Sequence, residues 1–331
     1  MMEPKKENVI CTGIDDNYLW PWLVSMYSAK IHSTQDFVVN LGYIRDSLSD
    51  KSKSIVLDFC KAFEIDVYLK EFEFDFQVKT SNLPIQAYIC LLWLDTLDHP
   101  FLWLDADTLP LESWDTVFDN LTRRKSETAL FAALDTDVIK KKLNLYPKNQ
   151  AYLRGAQSYI NSGVFLGIPE VWRTMQFNRR WPEVAASHVE LGFEHHDQDV
   201  LNYLLFENKQ IISSTFNSLV MQNSLIDQQI LHFTGQPKPW HFDDAAKSYF
   251  TSIEVLKSKA GNGAFGGVNW LFEYQNYWRH ENALLKSTVS GAQLNNDLHD
   301  LSLNSRKHLM SRNDRFKHGL LLMAGRKWRT W

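Results

Sequence analysis

Residues 101–108 have the sequence FLWLDADT, in which an apolar run of strand character ends at two carboxylates separated by one alanine. If the strand continues through them, Asp105 and Asp107 lie on the same side, because side chains alternate along a strand. Two carboxylates at this spacing can share one divalent cation, since Mg2+ and Mn2+ prefer oxygen ligands. Asp-x-Asp is a weak pattern by itself, but α/β sheets bind ligands beyond the carboxyl ends of their strands. We therefore predict a metal site here.

Segments of strand and helix character alternate on both sides of this stretch. The strand-like segments are residues 9–13, 37–41, 65–69, 129–134, 159–167 and 230–232. The helical segments are residues 20–31, 50–63, 83–97, 170–178 and 195–205. Ser49 or Asp50 is placed to cap the second of these helices. The alternation predicts an α/β fold, with a mixed, mostly parallel central sheet that is flanked by helices.

The character of the sequence changes beyond about residue 245, so we predict a first domain over 1–245 and a mostly helical C-terminal extension over 246–331. A Gly-rich stretch, residues 257–267, follows the boundary. The final segment, 305–331, carries eight Lys and Arg residues against one acid, with apolar residues between them. A basic amphipathic end suits an anionic membrane surface, whereas the alternative is a helix packed on the domain with a solvated basic face.

Composition is that of an ordinary globular protein, with 44% hydrophobic and 22% charged residues in a chain of 331. The net charge of -4 argues against nucleic acid as a partner. The scattered Cys11, Cys60 and Cys90 indicate buried, reduced thiols. We find no signal-peptide core and no apolar run of about 18 residues. We therefore expect a cytoplasmic protein, peripheral at the inner face of a membrane if the basic end binds lipid.

Four further polar motifs accompany the two carboxylates, in a fixed order along the chain. They are Asp15-Asp16-Asn17-Tyr18, Asn161-Ser162-Gly163-Val164, Asp197-Gln198-Asp199 and the nine-residue segment 232–240, of form His-x-x-Gly-x-x-Lys-Pro-Trp. Together they resemble glycosyltransferase family 8, the GT-A-fold group that contains glycogenin and the bacterial lipooligosaccharide galactosyltransferases. The resemblance covers residues 8 to 245. It implies a metal-dependent, retaining glycosyltransferase that moves a hexose from a UDP-sugar to a glycan, lipid-linked or protein acceptor.

Residue roles on the nucleotide side follow from the resemblance. Asp105, Asp107 and His232 match the ligands of Mn2+ or Mg2+, although a lone histidine in an apolar segment could also be a core residue. Lys238 would place a compact positive charge on the diphosphate. The other residues implied in UDP-sugar binding on this side are Asp15, Asn17, Tyr18, Ala106 and Gly235. A turn and helix cap is the alternative for residues 15–18.

Residue roles on the sugar side also follow from the resemblance. Gln198 matches the position discussed as a nucleophile in the family, but an amide is a poor nucleophile, so we favour a positioning or cation-stabilising role. Asp197 and Asp199 would bind donor-sugar hydroxyls, with helix capping as the alternative for Asp197. Asp135 and Asn161 would line the donor-sugar and acceptor side. We interpret the neighbouring pair, residues 195–196, as loop histidines.

One position departs from the family pattern. The family places an arginine on the helix before the Asp-x-Asp strand, and here Gln86 or Tyr88 stands in its approximate place. This leaves room for a donor other than UDP-glucose or UDP-galactose. It also keeps open a sugar-nucleotide-binding protein with impaired catalysis. A sugar nucleotidyltransferase is disfavoured, because its first loop would be Gly-rich and basic, whereas residues 13–17 are acidic.

Overall fold

The computed structural model describes residues 8–73, 85–93, 96–111, 113–136, 138–139, 158–219 and 228–234. The predictions for Gly235, Lys238, the extension over 246–331 and its basic end over 305–331 lie outside these residues. The described part contains one mixed sheet with helices packed against it, and a smaller second sheet.

The strands confirm the predicted alternation. They are β1 (Asn8–Gly13), β2 (Phe37–Ile44), β3 (Asp66–Phe72), β4 (Phe101–Leu104), β5 (Thr108–Pro110), β6 (Leu130–Leu134), β7 (Ile160–Gly167), β8 (Lys209–Ile211), β9 (Ser218–Leu219) and β10 (Ile230–His232). The large sheet has the order β3-β2-β1-β4-β7-β6-β8, and the small one β5-β10-β9. In the large sheet β7 runs antiparallel to both of its neighbours, and the other pairs are parallel. The sheet is therefore mixed and mostly parallel, as predicted.

The helices follow the predicted positions with two differences. They are α1 (Leu19–His32), α2 (Asp50–Ala62), α3 (Ile89–Leu92), α4 (Pro169–Thr174), α5 (Phe177–Ala186) and α6 (His196–Leu204). Ser49 caps α2 by accepting a hydrogen bond from the Ser52 backbone N–H. The helix predicted over 83–97 is short, a 3-10 turn at Ile85–Tyr88 followed by α3. The helix predicted over 170–178 is split into α4 and α5, because Gln176 has a left-handed φ of 51°.

Strands β4 and β7 form the centre of the core. Every residue of both is buried, which explains their near-continuous apolar character. Trp103 of β4 stacks on Phe165 of β7, which in turn packs on Trp172 of α4. None of the described helices combines the length and the apolarity needed to cross a bilayer.

The small sheet lies at the carboxyl end of β4. In it β10 pairs antiparallel with β5, which places His232 opposite Thr108. On its other side β10 pairs in parallel with β9, where His232 is opposite Leu219. The Phe233 backbone N–H donates to the Asp107 carbonyl at 3.0 Å. This sheet therefore brings a histidine from late in the chain to the carboxylates that follow β4.

Candidate active site

A tight turn, rather than strand alternation, brings the two carboxylates together. Strand β4 ends at Leu104, and the Thr108 backbone N–H donates to the Asp105 carbonyl at 3.1 Å. The Thr108 hydroxyl donates to the same carbonyl at 2.7 Å. The strand therefore does not continue through Asp105 and Asp107, and a hydrogen-bonded turn between β4 and β5 takes the place of the strand alternation that would put them on one side.

Asp105, Asp107 and His232 converge at this turn. The Nε2 atom of His232 lies 3.3 Å from Oδ1 of Asp107 and 3.7 Å from Oδ2 of Asp105. One donor atom from each residue lies within 4.8 Å of the others. Trp103 donates from its indole Nε1 to Oδ1 of Asp105 at 2.8 Å, which fixes that carboxylate at the end of β4. The structure therefore brings the three predicted ligands together. We refer to Asp105, Asp107 and His232 as the metal cluster, after the cation that they are predicted to bind.

The chemistry of this donor set fits a divalent cation. Two carboxylates and one imidazole nitrogen are hard and borderline ligands that suit Mn2+ or Mg2+. Asp105 is partly exposed, whereas Asp107 and His232 are 9% and 4% exposed, so the cluster opens to solvent on the Asp105 side. Converging lone pairs repel one another, so a cation between them lowers the electrostatic energy of the cluster.

The side chains that the resemblance assigns to the donor sugar include a second hydrogen-bonded group. Gln198 donates from Nε2 to Oδ2 of Asp135 at 3.2 Å. Asn161 donates from Nδ2 to the same Asp135 oxygen at 3.3 Å and to Oε1 of Gln198 at 3.0 Å. The Ser162 backbone N–H also donates to Oε1 of Gln198, at 3.2 Å. The side chains of Asp135, Asn161 and Gln198 are thus held by one another and by β7.

Asp197 lies partly exposed between this group and the metal cluster. Burial, and then the negative charge of Asp105, raise the pKa of Asp197 to about 7, although a hydrogen bond from Ser162 opposes the shift. The Cys90 thiol contacts its Oδ2 at 3.7 Å. A carboxyl group in this state can both donate and accept hydrogen bonds near neutral pH.

Asp199, which the resemblance assigns to a sugar hydroxyl, is a buried carboxylate with internal hydrogen-bond donors. Its side chain is fully buried, and Oδ1 accepts a hydrogen bond from the Tyr159 hydroxyl at 2.7 Å. Oδ2 accepts from the backbone N–H groups of Glu194 and His195 at 2.7 and 2.6 Å. These contacts tie the start of α6 to the segment before it, and a buried carboxylate that already accepts three internal hydrogen bonds indicates an anchoring role, whereas the role of Asp199 as a sugar ligand stays a prediction.

The first loop, residues 15–18, forms a turn ahead of α1 that is closed by the Asp15 side chain. Oδ1 of Asp15 accepts from the backbone N–H groups of Asn17 and Tyr18, at 3.0 and 3.1 Å, so the turn considered as the alternative is present. Asn17 is exposed at the surface of this turn. The pKa of Tyr18 is raised well above its ordinary value by burial and then by the charges of Asp107 and Asp105. Tyr18 therefore lies near the metal cluster, and Asn17 is accessible beside it.

Of the two residues in the approximate place of the family arginine, Gln86 is partly exposed and Tyr88 is buried. Tyr88 is fully buried, stacks on Trp181, and its hydroxyl lies 3.3 Å from Nδ1 of His196. It packs on the start of α6 instead of presenting a cation to the site. His196, one of the pair interpreted as loop residues, begins α6.

Two contributors to the site were not identified from the sequence. Asn217 ends a 3-10 turn (Ser214–Asn217) and contacts the ring of His232, although no motif surrounds it. Gly163 belongs to a motif, but the reason for a glycine appears only in three dimensions: an added Cβ would lie 2.0 Å from Cε1 of His232.

Comparison with known proteins supports the resemblance. The family model described as Glycosyl transferase family 8 matches residues 9–244. The chain belongs to glycosyl transferase family 8. Membership makes this family 8 protein a glycosyltransferase, which confirms the predicted enzyme class.

Individual relatives of this family 8 chain are distant. Lipopolysaccharide 1,2-glucosyltransferase of Escherichia coli is 23% identical over 265 residues, which are 73% of this chain and 76% of the relative. An active-site mutant of LgtC is similar in structure with a TM-score of 0.58, at 19% identity, over 78% of this chain and 99% of LgtC. The galactosyltransferase LgtC in complex with donor and acceptor sugar analogs has a TM-score of 0.57 at 20% identity, over 74% and 94% of the two chains. These similarities confirm the GT-A fold.

Proposed function

We propose that this glycosyltransferase moves a hexose from a UDP-sugar to a glycan, lipid-linked or protein acceptor, with retention of configuration and with Mn2+ or Mg2+. The convergence of Asp105, Asp107 and His232 at the carboxyl end of β4 carries the proposal. The relatives support its substrate classes, because one is named for glucosyl transfer to lipopolysaccharide and another was solved with donor and acceptor sugar analogs.

The cation would be held by the two carboxylates and by Nε2 of His232. When bound, it supplies positive charge that neutralises the departing diphosphate. The first loop lies beside this position, so Asn17 and Tyr18 are placed to contact the nucleoside. Lys238 and Gly235 are expected at the diphosphate from the resemblance alone. We therefore propose that the leaving diphosphate binds at the metal cluster and that the donor sugar extends from it toward α6.

On the sugar side, the partly exposed Asp197 is the acid best placed to bind donor hydroxyls, whereas Asp135 is buried and its Oδ2 accepts from Asn161 and Gln198. The oxygen of Gln198 already accepts hydrogen bonds from Asn161 and from the Ser162 backbone. Its lone pairs are therefore engaged, which supports a positioning role for Gln198 over attack on the anomeric carbon. Asn161 uses both atoms of its amide to hold its neighbours, so we propose that it orients Asp135 and Gln198.

The missing arginine supports one alternative, a sugar-nucleotide-binding protein with impaired turnover. Neither Gln86 nor Tyr88 carries a cation where the resemblance implies one, and Tyr88 is buried, so one contact to the donor would be missing. Product analysis separates the candidates: free UDP plus a glycoside identifies a transferase, and binding without turnover identifies the impaired protein. Pyrophosphate exchange would identify a nucleotidyltransferase.

The proposal is tested by screening UDP-sugars for thermal stabilisation with Mn2+, followed by transfer assays with the stabilising donor. Asp105→Ala and His232→Ala should each abolish transfer while the fold survives, because either change removes a ligand of the cation. Asp119→Ala, at an exposed aspartate on another face, is the matched control and should transfer normally. Full activity of either site variant would disprove the metal assignment.

A further inference from the structure

A buried chain of side-chain amides connects the metal cluster with the sugar side. Nδ1 of His232 lies 3.0 Å from Oδ1 of Asn217. Asn217 donates from Nδ2 to Oδ1 of Asn161 at 2.9 Å. Asn161 then contacts Gln198 and Asp135 as described above. His232, Asn217 and Asn161 are only 4%, 1% and 7% exposed, so their polar atoms depend on one another for hydrogen bonds.

The backbone of β7 determines the direction of every hydrogen bond in this row of side-chain amides. The Gly163 backbone N–H donates at 3.0 Å to the same Asn161 oxygen that Asn217 contacts. A backbone N–H can only donate, so this Asn161 atom must be Oδ1. The atom of Asn217 that faces it must then be the amide nitrogen, and the Asn217 oxygen must face His232. Because that oxygen can only accept, Nδ1 of His232 carries the proton.

The hydrogen bonds of Gln198, at the other end of this row of amides, independently give the same orientation of the Asn161 amide. The Ser162 backbone N–H donates to Gln198, which identifies the contacting atom as Oε1. The Gln198 nitrogen therefore faces Asp135, which accepts. Asn161 must consequently present its nitrogen to Gln198, in agreement with the assignment from Gly163. Two consecutive backbone N–H groups thus orient both amides.

We propose that Asn217 is a positioning residue that holds His232 in the Nδ1–H tautomer, so that the lone pair of Nε2 points at the cation position. The inference rests on the proposed metal dependence and adds a residue to it. A hydrogen bond on the second ring nitrogen fixes both the tautomer and the ring orientation of a metal-binding histidine. Asn217 does not touch the cation; it acts through His232.

Two variants separate the roles of the Asn217 side chain. Asn217→Asp keeps an oxygen that accepts from Nδ1–H but loses the donor to Asn161, whereas Asn217→Leu loses both. Asn120→Leu is the control, since Asn120 is a partly buried asparagine whose amide donates to the Val117 carbonyl away from the site. Circular dichroism and thermal unfolding establish that each variant is folded.

The measurements are Mn2+ affinity by calorimetry and the tautomer of His232 by long-range 1H–15N NMR, with His232→Ala used to assign its signals. We expect Nδ1 to carry a proton in the metal-free wild-type protein and in Asn217→Asp, with or without a second proton on Nε2 toward Asp107. We expect Asn217→Leu to mix tautomers and to bind Mn2+ roughly 10- to 100-fold more weakly. Asn217→Asp and Asn120→Leu should stay within about threefold of the wild-type affinity, because neither removes the acceptor of the His232 proton.

Different outcomes overturn the inference and the proposed function. Tight Mn2+ binding by the wild-type protein, with equal binding and an unchanged tautomer in Asn217→Leu, overturns the inference alone. Loss of Mn2+ binding in a folded Asn217→Asp variant also overturns it, because the acceptor is retained there. A wild-type protein that binds neither Mn2+ nor Mg2+ overturns the metal assignment, and the inference with it.

Discussion

Gly163 is the residue of β7 against which the imidazole of His232 packs. An added Cβ would lie 2.0 Å from Cε1 of that ring, far inside any normal contact. The ring is also held by Asn217 and by the pairing of β10, so it would have to leave its position to accommodate a methyl group. Close approach of a side chain to a backbone is a common reason for glycine in a strand.

Gly163→Ala should therefore weaken Mn2+ binding roughly tenfold or more, because it displaces a ligand. The measurement is calorimetric titration of the folded variant. Gly167→Ala is the matched control on the same strand, since its Cβ would lie 2.9 Å from the ring of Phe101 instead. That variant should lose about 1–3 kcal/mol of stability from overpacking and keep its cation affinity. Equal cation binding by both variants would contradict the prediction.

Asp197 makes the stability of the fold depend on pH. Its pKa is raised from 3.8 to about 7, so between these values the folded protein holds a proton that the unfolded chain releases. Stability from this group therefore falls as the pH rises through that window. Asp197→Asn removes the penalty and should raise Tm by about 2 °C or more at pH 8, with a smaller gain at pH 5.

The test is thermal unfolding of the Asp197→Asn variant and the wild-type protein at both pH values, with a chelator present. Sugar transfer should fall in the same variant, because the amide cannot reproduce both protonation states of the acid. A gain in Tm that does not depend on pH would contradict the assigned cause.

At the level of elements, the small sheet determines where His232 lies. Strand β10 has only three residues, yet it pairs with β5 on one side and with β9 on the other. Asn217 directly precedes β9, so the same sheet delivers both the ligand and the residue that orients it. The residues of the metal cluster thus come from two places, the turn between β4 and β5 for Asp105 and Asp107, and the end of β10 for His232.

The start of α6 is the second element that shapes the site, and Asp199 anchors it. Asp199→Ala would leave the Tyr159 hydroxyl and two backbone N–H groups without their acceptor, so we expect a loss of about 2–3 kcal/mol in the free energy of unfolding. Tyr159→Phe removes only one of these bonds and should cost about 1 kcal/mol. Urea denaturation measures both values. Unchanged stability together with lost UDP-sugar binding would restore the role implied by the resemblance.

At the scale of the whole molecule, the basic end over 305–331 predicts binding to an anionic membrane surface. This segment lies outside the described residues. Its eight Lys and Arg residues should attract anionic lipid at about 1 kcal/mol each close to the surface. Deleting 305–331 should release the protein from anionic liposomes in a sedimentation assay. Neutral liposomes are the control, and added salt should weaken binding of the full chain. Equal binding by the truncated protein would reject the prediction.

Much of this architecture could be predicted from local pattern, because apolar periodicity and capping act over a few residues. The first three strands, the cap at Ser49 and the buried strands before Asp105 and around Gly163 follow from such signals. The convergence of Asp105, Asp107 and His232 was also predicted, since the three residues lie in motifs that resemble the family. The split between α4 and α5 was missed, because a single left-handed residue, Gln176, leaves no periodic signal.

The stretch FLWLDADT carried enough information to specify a buried strand and its acidic end, and it led to the prediction of a cation site. Only the folded chain shows that the two carboxylates converge at a turn, that Asp199 is buried on internal donors, and that Asn217 contacts the ring of His232. The reason is physical. Strand character depends on neighbours in sequence, whereas hydrogen bonds between buried polar groups depend on which distant segments the sheet brings within about 3 Å.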